Sequence, residues 1–337
     1  MDHDDIARQL ENMPPPDNAS AQRAINREAN LTKPAGSLGR LEDLSVWCAA
    51  WQASYPPRLE NIQILVFAGN HGVTDQGVSA FPPEVTHQMV ANFAAGGAAI
   101  NQLARIHKAE LRVIDLDLHR PTADFTSAPA MSSEDFSAAF GTGYEAIDDG
   151  FDALVVGEMG IGNTTSAAAL SCALYGGDPA DWTGPGTGLD EAGIAVKTRV
   201  VAAAMDLHGE GFDNPLEALR RVGGREMAAM AGAVLAARHA RVPVILDGFV
   251  STAAVAALER AVSGALDHTV AGHLSGEPGH RRLLEKLGKK PLLDLGMRLG
   301  EASGAAVALS VLRCALAAHN DMATFEEAAV SRKHLDV

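Results

Sequence analysis

Four times along this chain a short apolar run passes into a glycine loop bearing polar side chains, and a run that reads as a helix follows. The loops lie near Gly69, Gly157, Gly248 and Gly272, and a fifth near Gly300 leads into an apolar run without a strand of its own. Apolar runs this short, bounded by glycine, read as buried strands. Strands alternating with helices imply a mostly parallel sheet, because parallel neighbours need a crossover between them. In such a sheet the loops after the strand C-termini share one edge, and ligands bind there. The recurrence has no fixed period. Its consequence is that residues far apart in sequence line one crevice.

The fullest instance is Asp152 to Leu170. Ala153 to Val156 is long enough only for a strand. Gly157, Gly160 and Gly162 open the loop, and Asn163-Thr164-Thr165 supplies natural N-cap types for the helix that follows. Free backbone N–H groups and the helix dipole favour an anion there, and glycine lets it approach the backbone. Glu158 is a carboxylate in this anion-friendly loop, which points to a group that carries or develops positive charge. The loop matches neither the dinucleotide fingerprint nor the P-loop. Alone it is an ordinary strand-to-helix turn, and its weight comes from the other loops.

The expected fold is α/β: a Rossmann-like, mostly parallel sheet flanked by helices. Residues 58–300 form the large α/β domain. Residues 1–57 and 301–337 lack strands and form a smaller helical domain. Hydrophobic residues make up 47% of the 337-residue chain but aromatics only 5%, so the core is built from Ala, Val, Leu and Ile. Leu38, Leu41, Leu44, Cys48 and Trp51 fall at helical spacing as a packing stripe. Strands are expected at 62–67, 111–118, 153–156, 242–246 and 268–271. Thr122 to Phe140 has no clear periodicity and reads as a mobile loop. Ser251-Thr252 caps a helix, and Thr324 with Glu327 forms a capping box for a C-terminal one.

Several classes of function are disfavoured. A formal charge of -15 argues against nucleic acid and anionic membranes as partners. No apolar run reaches the length of a membrane span, and the acidic N-terminus lacks the apolar region of a signal peptide. Cys48, Cys172 and Cys314 are odd in number and sit in apolar surroundings, reading as buried thiols of a reducing, cytoplasmic compartment. His71, His273 and His280 lie in glycine loops without metal-ligand spacing and read as histidines bonded to backbone carbonyls. No serine sits in a nucleophile elbow.

The acids Glu158, Asp190, Asp247, Glu277 and Glu301 all sit in or beside glycine loops. Glu301 stands out. It precedes Ala302-Ser303-Gly304 at a helix start, where the dipole favours its charged form, and it could take a proton from a reacting group. Lys197 and Arg298 are the cations beside glycine loops, suited to a phosphate as point charge and as fork.

Taken in order, these motifs resemble those of the nicotinate-nucleotide–dimethylbenzimidazole phosphoribosyltransferases of cobalamin biosynthesis. The resemblance spans nearly the whole chain. It runs through Thr32-Lys33-Pro34 with Gly36 to Glu42, Phe67 to Val73, Gly157 to Thr165, Asp247 to Thr252, Gly272 to Arg281 and Leu299-Gly300-Glu301. Asn70 stands where Asp is frequent in the family, and Ala302 where Gly is common.

The resemblance implies phosphoribose transfer from nicotinate mononucleotide to a benzimidazole nitrogen, by a homodimer with neither metal nor organic cofactor. It implies Glu301 as the base and Glu158 as an electrostatic stabiliser of the sugar cation. Nucleotide and phosphate would rest on Gly160, Gly186, Thr187, Gly248 and Ser275, with Lys197 and Arg298 as cations. Ser79, Phe81, Gln88 and Leu299 would form the base pocket. Two other classes are a Rossmann oxidoreductase, disfavoured by the missing dinucleotide fingerprint, and a non-catalytic nucleotide sensor.

Overall fold

The computed structural model describes residues 1–331. In chain order the helices and strands are α1 (His3–Glu11), α2 (Asn18–Glu28), α3 (Arg40–Gln52), β1 (Ile62–Ala68), α4 (Glu84–Ala94), α5 (Ala99–His107), β2 (Glu110–Asp115), α6 (Ser133–Tyr144), β3 (Ala153–Met159), α7 (Asn163–Tyr175), α8 (Glu191–His208), α9 (Pro215–Val222), α10 (Arg225–His239), β4 (Val244–Leu246), α11 (Phe249–Ala261), β5 (Thr269–Ala271), α12 (Pro278–Lys286) and α13 (Ser303–Asp321). The strands form one parallel sheet in the order β2-β1-β3-β4-β5.

Helices cover both faces, so β1 is buried along its whole length and reads as a continuous apolar run. Leu65, Phe67, Leu154, Val156 and Leu246 point into one core, with residues of α6, α7, α10 and α11. Ile64, Val66, Val155 and Ile245 point into the other, with Ala305, Ala306 and Leu309 of α13. The side chains alternate because the strand period is two.

A second helical layer is tied together by ions. Lys33 Nζ lies 3.0 Å from Glu28 and 2.8 Å from Glu42. Glu28 also reaches His319 Nδ1 at 2.6 Å, joining α2 to α13. Arg27 donates to the carbonyls of His319, Asn320 and Met322, satisfying the orphan acceptors at the end of α13.

The structure departs from the sequence expectations at several places in the fold. Thr122 to Phe140 is not an aperiodic loop: its second half is α6, capped by Ser132. Gly143 packs against the α10 backbone at Ala229, and Gly232 of α10 packs against Phe140. Glycine, a helix breaker in isolation, here permits close helix contact. The first half is pinned by backbone bonds from Thr122 to Asn70 and from Ala130 to Arg221, with Phe125 buried. The helix capped on paper by Ser251-Thr252 starts earlier, at Phe249 after Gly248. Both bonds of the Thr324–Glu327 box form, but they close a turn rather than a helix. Cys48 and Cys172 are buried, whereas Cys314 is exposed on α13. Among the described residues no helix is long and apolar enough to cross a membrane.

Candidate active site

Strand order reverses between β1 and β3, and a crevice at the C-terminal edge is expected at such a switch point. A cavity of about 400 Å³ opens at this edge. Its walls come from the ends of β3, β4 and β5, from the 184–187 loop, from α4, and from the 298–301 loop. Thr86 of α4 accepts a hydrogen bond from the Ile161 N–H at 3.2 Å, fixing α4 against the β3 loop.

Glu158 and Glu301 meet in this cavity. Glu158 ends β3, and its Oε2 accepts from the Asn163 side-chain amide. Asn163 therefore does not cap α7; Gly162, with φ +93°, stands at the cap without a side-chain bond. Glu301 reaches Glu158 through the backbone, its N–H donating to the Glu158 carbonyl at 3.3 Å. Glu301 and Ala302 are both left-handed, with φ of 61° and 65°. This is a strained turn for residues with a Cβ and explains why glycine suits position 302.

The helix dipole does not set the charge of Glu301. Burial and then the nearby Asp247 carboxylate push it up to about 7. Burial pushes Glu158 further, to about 8; the Asn163 bond opposes this, and Asp247, Glu226 and Glu301 add to it. Asp247 is itself fully buried. Its Oδ1 accepts from the Ala305 N–H at 3.0 Å and lies 3.5 Å from His273 Nε2. Among the described residues its Oδ2 and both nitrogens of His273 make no hydrogen bond.

The opposite wall is polar and rich in glycine. Gly160, Gly186, Thr187, Gly248, Ser275 and Arg298 all line it. Arg298 donates to the Gly186 carbonyl at 3.0 Å, and Glu277 accepts from the Gly186 N–H at 2.9 Å. Behind Ser275, burial holds His280 down to about 3, so the ring is neutral. Its Nδ1 accepts from the Ser275 N–H at 2.9 Å, which leaves Nε2–H to donate to Thr252.

Lys197 is not on this wall. It is fully buried beneath the loop, its Nζ donating to Thr164 Oγ1 at 2.9 Å and to the Gly184 carbonyl at 3.0 Å. Burial lowers it to about 8. The expected direct contact gives way to support from below. Phe81 and Leu299 line the apolar end with Val85 and Met89. Gln88 is exposed on α4 and is not among the residues that line the cavity. Ser79 also lies outside the lining, at the rim, its hydroxyl 3.1 Å from Thr187 Oγ1.

A family described as "Phosphoribosyltransferase" matches residues 13–330. A Jannaschia protein named nicotinate-nucleotide–dimethylbenzimidazole phosphoribosyltransferase is 60% identical, the match covering 94% of each chain. This chain belongs to that phosphoribosyltransferase family. A Mesorhizobium japonicum protein of the same name is 54% identical, with 98% of each chain covered. The crystal structure of the Thermus thermophilus enzyme of that name superposes with a TM-score of 0.88 at 42% identity, covering 94% of this chain and all of that one.

In this phosphoribosyltransferase the histidines depart most from the sequence reading. None of the three makes the expected bond to a backbone carbonyl as its principal contact. His71 Nε2 lies 2.6 Å from Glu226, and its Nδ1 lies 3.0 Å from the Ser166 hydroxyl, beneath Gly160. Glu226 and Asn163 had no local signal, since one reaches the site from α10 and the other looked like a cap. The pairing of Asp247 with the start of α13 is likewise visible only in three dimensions.

Proposed function

We infer that this protein transfers phosphoribose from nicotinate mononucleotide to 5,6-dimethylbenzimidazole, or a related base. The products are α-ribazole 5′-phosphate and nicotinate, and the step belongs to nucleotide-loop assembly of cobalamin. Support comes from near-full-length relatives that bear this enzyme name. The observation that carries the chemistry is a pair of buried carboxylates, Glu158 and Glu301, facing a cavity rimmed by glycine.

In the proposed mechanism a benzimidazole nitrogen attacks C1′ as the bond to the pyridinium breaks, with inversion at that carbon. Glu301 accepts the N–H proton from the far nitrogen. Its proton affinity, raised to near neutrality, suits that task. Glu158 sits where positive charge grows on the ribose; that growing cation favours the ionised form of its carboxyl, which would stabilise the charge in a site of low dielectric. Gly160, Gly186, Thr187, Gly248, Ser275 and Arg298 would hold the nucleotide. Lys197 would act on it through the Gly184–Gly186 backbone. Phe81, Leu299, Val85 and Met89 would take the flat base, with Ser79 and Gln88 outside the direct contact shell.

The protein is also proposed to act as a homodimer in the cytoplasm. The division into a large α/β domain, 58–300, and a small helical one, 1–57 with 301–337, is kept as a proposal. It is supported by the packing of α3 on α2 and α13. Incubation with nicotinate mononucleotide and dimethylbenzimidazole tests the function. Free nicotinate should appear in step with α-ribazole 5′-phosphate, whereas an oxidoreductase or a nucleotide sensor releases neither.

A further inference from the structure

We propose that Asp247 is the positioning residue that places Glu301 and sets its affinity for the proton it must accept. This deepens the proposed function and rests on Glu301 being the base.

The first observation is geometric. Asp247 leaves the end of β4 and reaches across to α13, where its Oδ1 accepts the Ala305 N–H at 3.0 Å. That N–H is one of the orphan donors of the helix start, and α13 has no side-chain cap of its own. The strained pair Glu301–Ala302 immediately precedes this helix. Asp247 thus clamps one end of the turn that carries Glu301, while the Glu301 N–H bond to Glu158 clamps the other.

The second observation is charge. Capping alone needs an acceptor, which Ser or Asn supplies without the cost of a buried carboxylate. Asp247 is fully buried, and its Oδ2 makes no hydrogen bond among the described residues. A negative group here does one thing that a neutral cap does not: it raises the proton affinity of its neighbours. Burial raises Glu301 most, and Asp247 is the charge that adds to that rise.

The other facing groups leave that role to Asp247. Glu158, from β3, is held mostly protonated at neutral pH and adds little charge. Glu226, from α10, is engaged with His71. Arg298, on the same loop, is turned to the Gly186 carbonyl. His273, from the β5 loop, lies 3.5 Å from Asp247 and would offset its charge only when protonated.

The test compares Asp247→Asn, which keeps the acceptor and removes the charge, with Asp247→Glu, which keeps the charge. Two midpoints are read on the purified full chain. One is the acid limb of the pH–rate profile for nicotinate release. The other is the infrared titration of the carboxyl band that disappears in Glu301→Gln, which needs no turnover. In Asp247→Asn both midpoints should fall together by at least about one pH unit, with the melting temperature near the parent's. In Asp247→Glu they should stay near the parent's values. Asp247→Ser, with a hydroxyl acceptor, replaces the Asn variant if that fails to fold, and the same fall is expected. Slower turnover with both midpoints unmoved overturns the proposal and makes Asp247 a stabiliser of the fold or of the substrate cation. An acid limb that persists in Glu301→Gln rejects Glu301 as the base, while the infrared midpoint still reports on Asp247 by itself.

Discussion

Glu301→Gln should make the protein slower and, in alkaline solution, more stable. The carboxyl of Glu301 rises from 4.5 to about 7 on folding. A raised acid binds its proton more tightly in the folded state, so stability is lost as pH climbs from the unfolded value through the folded one. Taking 1.36 kcal/mol per unit, the ionised form costs about 3 kcal/mol at pH 8 and under about 1 kcal/mol at pH 5. Glutamine keeps the shape and cannot ionise, so this pH-dependent cost disappears. The gap between variant and parent should therefore open in the variant's favour by about 2 kcal/mol from pH 5 to pH 8. Urea unfolding at the two pH values measures it, and comparison across pH cancels the fixed cost of burying an amide. Single-turnover nicotinate release at pH 8 should meanwhile drop by about 10²–10⁴. A residue that merely ties down the turn before α13 predicts the opposite pattern. The variant would then be destabilised equally at both pH values and turn over near normally, and that result would falsify the assignment.

Glu158→Gln should lower the single-turnover rate less than Glu301→Gln does, because field stabilisation is shared with neighbouring groups; equal losses would give Glu158 a proton-transfer role. Lys197→Ala should cost about 3 kcal/mol of stability, since it removes two bonds from a charged donor and leaves a void. Nucleotide binding, followed by calorimetry, should weaken with it while binding of the neutral base does not; intact nucleotide affinity would detach Lys197 from the loop's function. Met89→Ala should change the product ratio in a competition among benzimidazole, phenol and purine acceptors, and Gln88→Met should not. A ratio that follows Gln88 instead would mean that α4 turns when the base binds.

The sheet was legible because its signals are local: each apolar run ends at a glycine, and each glycine loop marks the shared edge. That logic brought Glu158, Gly160, Gly248, Ser275 and Glu301 to one cavity. It failed where a residue's meaning depends on a distant partner. The stretch up to Phe140 looked like a loop because nothing nearby signals that Gly232 of α10 presses against it. Lys197 looked like a free cation because its sequence neighbours do not reveal Thr164 and Gly184 above it. The left-handed turn at Glu301 and Ala302 is carried by residue types that rarely adopt it, so only the surrounding packing enforces it. The charge of Glu301 was misjudged for a related reason. A helix start argues for ionisation, but burial and then the Asp247 carboxylate outweigh it.

The position of α13 has a consequence for the order in which the molecule is made. Every strand of the five-stranded sheet precedes Glu301 in the chain, and translation delivers it in that order at about 5–20 residues per second. A nascent chain that ends before Glu301 carries the loops after β1, β3, β4 and β5 but not the base. It also leaves Val66, Val155 and Ile245 without the Ala305, Ala306 and Leu309 that pack with them in the finished core. Such a chain exposes an apolar sheet face and is a candidate for chaperone capture. Docking of the last long helix closes that face and delivers Glu301 beside Glu158 in one event. Protection from aggregation and readiness for chemistry are thus acquired together, late in synthesis.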